Sequence, residues 1–184
     1  LHTDPENLAR SIGFSIPLYR NGQALWRQGG DAGGSVDVAV IEINRAALPR
    51  SIAYRAFSPD NLPKPEDHVE IGTPLLIVGF PLGFHDTLHH MPVVRQAVVA
   101  SSYGLRFNGQ GYFLTDARTH RGSSGAPVVT RMHGEAAVDA LIPWRLLGVH
   151  SSRLDVSSRD LSFDEALGLN CAWYADILLT LTQD

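Results

Sequence analysis

The sequence predicts an all-β fold, closed into a barrel or folded as a sandwich, with one helix at its C-terminal end. Three observations carry this. Short runs rich in Val, Ile and Leu recur along the whole chain, at 15–18, 36–43, 75–78, 93–100, 112–115, 126–129 and 146–150. Seventeen glycines and eleven prolines separate them, the punctuation of many short strands joined by turns. Helical periodicity is convincing only at the end, where Trp173, Ile177, Leu178 and Leu181 fall on one face. A polar, proline-bearing stretch from Ser58 to Asp67 reads as the connection between two halves.

Composition narrows the function. With 184 residues, 44% of them hydrophobic, the chain is long enough to bury a sizeable core as one domain or two small lobes. A net charge of −4 with scattered basic residues gives no electrostatic footprint for nucleic acid or for an anionic membrane surface. No apolar run approaches the roughly 18 to 20 residues that span a bilayer, and the segment from Leu1 to Asp4 has no signal-peptide character. The lone cysteine, Cys171, cannot form an internal disulfide, which suits a reducing compartment and weakly favours the cytoplasm. No phosphate loop, dinucleotide fingerprint or metal cluster is visible, so no cofactor is implied. His85, His89 and His90 lie between Pro81-Leu82-Gly83 and Pro92 and read as a solvated loop without the register of a metal site. His68, His120 and His133, in polar surroundings, read as surface groups.

Chemistry concentrates at Gly122-Ser123-Ser124-Gly125-Ala126-Pro127. A tight turn flanked by glycines lifts the Ser124 hydroxyl out of the backbone and points successive N–H groups at one spot, where an oxyanion can sit. The same Gly-Ser pattern occurs in purely structural turns, so its context decides. Upstream stands Thr115-Asp116-Ala117; further back, Asp37 heads the apolar run Val38-Ala39-Val40-Ile41, where a buried acid is costly unless something uses it or it caps a turn. An α/β-hydrolase serine elbow is excluded, because Pro127 and a β-type run, not a helix, follow the serine.

In combination these blocks resemble the trypsin/chymotrypsin superfamily, and most closely its disulfide-free bacterial branch of HtrA-type proteases. Asp37-Val38-Ala39-Val40-Ile41 is similar to the family's aspartate strand, Gly79-Phe80-Pro81-Leu82-Gly83 to its G-x-P-x-G turn, and Thr115 through Gly125 to its T-D-A-x-x-x-x-G-x-S-G block, all in family order. The resemblance implies a chymotrypsin-like double β-barrel: residues 1–57 a partial N-terminal barrel, 58–70 the inter-barrel connection, and 71–184 the C-terminal barrel with its terminal helix. It implies peptide-bond hydrolysis by a Ser-His-Asp triad, with Ser124 as nucleophile and Asp37 orienting the histidine. Gly122, Ser123 and Ser124 form the oxyanion loop, the N–H groups of Gly122 and Ser124 being its donors. The partner is a polypeptide substrate; the oligomeric state is not specified.

The family's histidine precedes its aspartate, and only His2 does so here. Leu1-His2 followed by Thr3-Asp4-Pro5 reads instead as a strand entering a hairpin that returns along 11–18, so the base is expected upstream of Leu1 and the first barrel is expected to be incomplete. The strand after the nucleophile, Gly148-Val149-His150-Ser151-Ser152, is similar to the pocket strand of glutamyl endopeptidases and of viral proteases that cut after glutamine. Those enzymes carry a Thr or Ser five residues before the nucleophile, as Thr119 is here. The resemblance thus implies a pocket of Thr119, His150, Ser151 and Ser152 for Glu, Asp or Gln, whose polar ends an apolar pocket would leave unpaired. A protease-like module that binds extended peptides without cutting them is the alternative.

Overall fold

The computed structural model describes residues 1–134, 137, 140–153 and 168–183. Among the described residues the strands are β1 (Tyr19–Arg20), β2 (Gln23–Ala24), β3 (Trp26–Asp31), β4 (Gly34–Ile41), β5 (Pro74–Gly79), β6 (Val93–Val98), β7 (Tyr112–Thr115), β8 (Pro127–Arg131), β9 (Trp144–Arg153) and β10 (Asn170–Tyr174); short 3-10 turns join several of them, and a short α-helix, α1 (Ile177–Leu181), follows β10.

Six of the strands form one antiparallel sheet in the order β6-β5-β8-β9-β10-β7. Its two ends meet. Val99 bridges Thr115, the Ala100 N–H donates to the Leu114 carbonyl at 2.8 Å, and the Asp116 carboxylate accepts from the Val98 N–H at 2.7 Å. The sheet therefore curls into a barrel, as a fold without protected edges requires. Leu75, Ile77, Val99, Phe113, Val128 and Leu147 fill its interior. Gly148 is needed for that filling, because a Cβ there would stand 2.6 Å from the Trp173 carbonyl and 2.9 Å from the Phe113 ring.

Outside the barrel lie two hairpins, β1-β2 and β3-β4. Strand alternation on β4 turns Val36 and Val38 inward, where they pack with Trp173 and Leu181, and turns Asp37 outward. This contact fastens β4 to the barrel wall. The first residues form a small hairpin of their own, with His2 bridged to Ser11 and the Ile12 N–H donating to the Leu1 carbonyl at 2.8 Å.

Several sequence expectations need correction. Asp37 is exposed, not buried, because alternation gives the interior to its valine neighbours. Trp173 belongs to β10, not to the terminal helix, which is confined to Ile177–Leu181. Pairing with β7 and β9 on both sides claims the tryptophan backbone, and its helical spacing to Ile177 is coincidental. Residues 15–18 are not a strand; the pairing begins one residue later and runs through Asn21-Gly22, at φ +52° and +78°. Those left-handed angles suit a type I′ turn, which an Asn-Gly pair signals in sequence.

Candidate active site

The nucleophile loop is held from two sides. Below it, the Gly125 N–H donates to the His150 carbonyl at 2.7 Å and the His150 N–H returns to the Ala126 carbonyl at 2.9 Å, tying the loop to β9. Beside it, the Leu82 N–H donates to the Arg121 carbonyl at 2.6 Å, so the turn 80–83 packs directly on Gly122. Only glycine is tolerated there: Gly122 has φ +89°, and a Cβ would stand 2.7 Å from the Phe80 carbonyl oxygen. The Gly79-Phe80-Pro81-Leu82-Gly83 and Gly122-Ser123-Ser124-Gly125 blocks, distant in sequence, are thus one packing unit.

Within the loop the backbone donors divide into two groups. The N–H groups of Ser123 and Ala126 donate to the carbonyls of His120 and Ser123, at 3.2 and 3.1 Å, and that of Gly125 is also satisfied. Those of Gly122 and Ser124 have no acceptor among the described residues. Ser123 is buried while Ser124 is exposed.

Ser151 joins the nucleophile loop to β4. Its hydroxyl donates to Asp37 Oδ2 at 2.5 Å, a contact spanning 114 residues of sequence, and its carbonyl accepts from Ser124 Oγ at 2.7 Å. Asp37 and Ser124 therefore face the same residue from two sides. Ser152 follows in the same strand.

Behind the loop, His150 is 3% exposed and its Nδ1 has no partner among the described residues. Burial alone lowers its pKa to about 4, so the ring is neutral at pH 7. Thr119 is also buried, and its hydroxyl donates to Asn170 Oδ1 at 2.6 Å. Asn170 was not among the residues singled out in the sequence; a lone amide between a glycine-bearing loop and Cys171 carries no signal of its own.

No histidine among the described residues hydrogen-bonds Ser124 or Asp37. His2 Nδ1 lies 2.9 Å from the Leu8 carbonyl, inside its own hairpin. His85 and His90 stack at 5.9 Å and His89 pairs with Asp86 at 2.8 Å, all in the exposed turn between β5 and β6; His68 and His133 are exposed and His120 half-buried. No group of three or more candidate metal ligands occurs among the described residues. Cys171 is a free, buried thiol, its pKa pushed up to about 11 by burial. No helix among the described residues is long and apolar enough to cross a membrane.

A closed antiparallel barrel, with a glycine-framed serine loop and an aspartate strand beside it, finds its match in comparison with known families. The family model described as "Trypsin-like peptidase domain" matches residues 8–137, more than half of the chain, a span that contains both Asp37 and Ser124. The chain belongs to the trypsin-like peptidase domain family. A comparison of this peptidase domain with curated proteins finds no match. Membership accounts for the barrel and implies polypeptide substrates; the matched span ends before β9, whose His150 and Ser151 complete the site described above.

Proposed function

We propose that this peptidase domain is that of a serine endopeptidase of the disulfide-free branch, with Ser124 as nucleophile and Asp37 as the acid of a Ser-His-Asp triad. What supports the reading above all is the convergence on Ser151, which bonds the exposed Asp37 carboxylate through its hydroxyl and the Ser124 hydroxyl through its carbonyl. An exposed carboxylate needs no partner to remain stable; one held by a buried serine beside an exposed serine on a glycine-framed turn has been given an orientation.

The base in this reading is a histidine of the polypeptide upstream of Leu1, placed between Asp37 and Ser124. It takes the Ser124 proton as Oγ attacks the peptide carbonyl, and Asp37 stabilises the imidazolium that results. The unpaired N–H groups of Gly122 and Ser124 receive the oxyanion, each such donor contributing about a hundredfold in rate. The base then protonates the leaving amine, and water, activated in the same way, releases the acyl group. Thr119, His150, Ser151 and Ser152 line the pocket for the residue before the cleaved bond, with preference for Glu, Asp or Gln.

The test uses the full polypeptide, upstream segment included. It is expected to cleave an unstructured protein and to be labelled by a fluorophosphonate, and Ser124→Ala is expected to lose labelling and at least about 10³-fold in kcat. Undiminished cleavage by Ser124→Ala would overturn the assignment. Binding of extended peptides without turnover or labelling would favour the non-cutting module instead.

A further inference from the structure

The wall of the candidate pocket contains an amide that the mechanism above does not use. Asn170 opens β10 and is 1% exposed. Its Nδ2 stands 2.5 Å from the Ala117 carbonyl oxygen and 3.1 Å from that of Gly168. Both are acceptors only, so the nitrogen must face them; a reversed amide would set three oxygens against one another. Oδ1 is then the atom that faces Thr119. Two oxygens 2.6 Å apart need a proton between them, and only the Thr119 hydroxyl has one to give. Thr119 Oγ1 consequently offers lone pairs alone to any other group.

The second pocket group is equally constrained. His150 is buried and its Nδ1 is unpartnered among the described residues. With its pKa lowered to about 4 the ring is neutral near pH 7, one nitrogen donating and the other accepting.

We propose that Asn170 is a positioning residue that turns the Thr119 proton away from the pocket, so that the pocket accepts a side chain ending in a neutral amide, as in Gln, and disfavours a carboxylate, as in Glu. The proposal rests on the reading of Ser124 as nucleophile and of Thr119 and His150 as pocket walls. An amide matches both walls: its carbonyl accepts from the His150 N–H and its NH2 donates to Thr119 Oγ1. A carboxylate has acceptors only. It would satisfy the histidine and meet the Thr119 lone pairs with its second oxygen, a buried polar contact with no proton in it.

The experiment measures kcat/KM of the full polypeptide on peptides identical except for Gln, Glu, Leu or Arg before the cleaved bond. Gln is expected to exceed Glu by up to about a hundredfold, the order of the penalty for burying one polar contact that lacks its proton. Thr119→Val keeps the side-chain shape and removes the acceptor, so the Gln:Glu ratio is expected to collapse to within a few-fold through loss on Gln. Asn170→Ala frees the Thr119 hydroxyl to turn, so the ratio is expected to fall through a gain on Glu, which a merely structural role would not produce. Should Asn170→Ala not fold, as judged by circular dichroism, Thr119→Val decides alone. Glu equal to Gln in the parent enzyme, or a ratio unmoved by Thr119→Val, overturns the role of Asn170 and leaves the peptidase reading intact. Cleavage after Leu or Arg alone overturns the pocket assignment, and no cleavage of any peptide overturns the peptidase reading; either result ends this proposal with it.

Discussion

Ser151 does more at the site than its place on a pocket strand suggested. It is buried, yet both of its polar atoms reach groups that solvent also reaches: the hydroxyl holds Asp37 and the carbonyl receives Ser124. Removing the hydroxyl leaves an exposed carboxylate that water can serve, so folding is expected to survive Ser151→Ala. The orientation of Asp37 is not expected to survive it. A hydrogen bond to a charged group contributes about 1.5 kcal/mol at the low end of its range, which corresponds to about tenfold in rate if it acts only on the catalytic geometry. Ser151→Ala is therefore expected to lower kcat about tenfold with an unchanged denaturation midpoint, measured in parallel on the full polypeptide; an unchanged kcat would remove Ser151 from the positioning of Asp37. Residues of this kind show how far the site is legible in sequence. Ser124, Gly122 and Asp37 stand out because a serine turn framed by glycines and a charged residue heading an apolar strand are unusual in one dimension. Asn170 and the Ser151–Asp37 bond do not, because their meaning comes from register across strands that pair only in the closed barrel.

At the scale of elements, the readable strands were those with an alternating or β-branched run, such as β4, β5 and β6. The two-residue strands β1 and β2 were too short to read, and β3 and β10 were not readable for different reasons. β3, with Gly29, Gly30 and two charged residues, has little intrinsic strand character and takes its conformation from pairing with β4. β10 contains Asn, Cys and Ala and is buried on both faces, so it shows no alternation at all. What the packing of elements adds is the dependence of the serine loop on the turn after β5. That dependence is tested by Gly122→Ala. The substitution forces a side chain into the left-handed region and places a Cβ 2.7 Å from the Phe80 oxygen, so either the loop or the 80–83 turn must move. It is expected to cost about 1–3 kcal/mol of stability, read from the urea midpoint, and to abolish fluorophosphonate labelling of the full polypeptide. Full labelling with unchanged stability would show that the two blocks are not one unit.

For the molecule as a whole, a buried titratable group on β9 links stability to pH. His150 lies on β9 between β8 and β10, 3% exposed, with a ring nitrogen unpartnered among the described residues and a pKa lowered to about 4 by burial. In the unfolded chain the same ring titrates at about 6.5. Between those values the unfolded state binds a proton that the folded state refuses, so the linkage favours unfolding as the solution becomes more acidic. The contribution of His150 is complete above about pH 6.5, is lost progressively as pH falls toward 4, and changes no further below that. A shift of this size corresponds to about 3 kcal/mol, a large share of the 5–15 kcal/mol typical of a domain. Carboxylates that are hydrogen-bonded when folded act in the same direction but lower on the scale: Asp31, whose pKa is depressed by the Arg106 guanidinium and by backbone N–H groups against an opposing burial effect, loses its contribution below the usual carboxylate range. The two are separable by substitution. His150→Gln removes the imidazole and keeps a polar side chain, so its urea midpoint is expected to vary little between pH 7 and pH 5, whereas that of the parent chain falls over the same interval. Equal slopes in the two proteins would show that His150 takes up its proton in the folded state as readily as in the unfolded one, and would remove the neutral ring on which the proposed pocket chemistry depends.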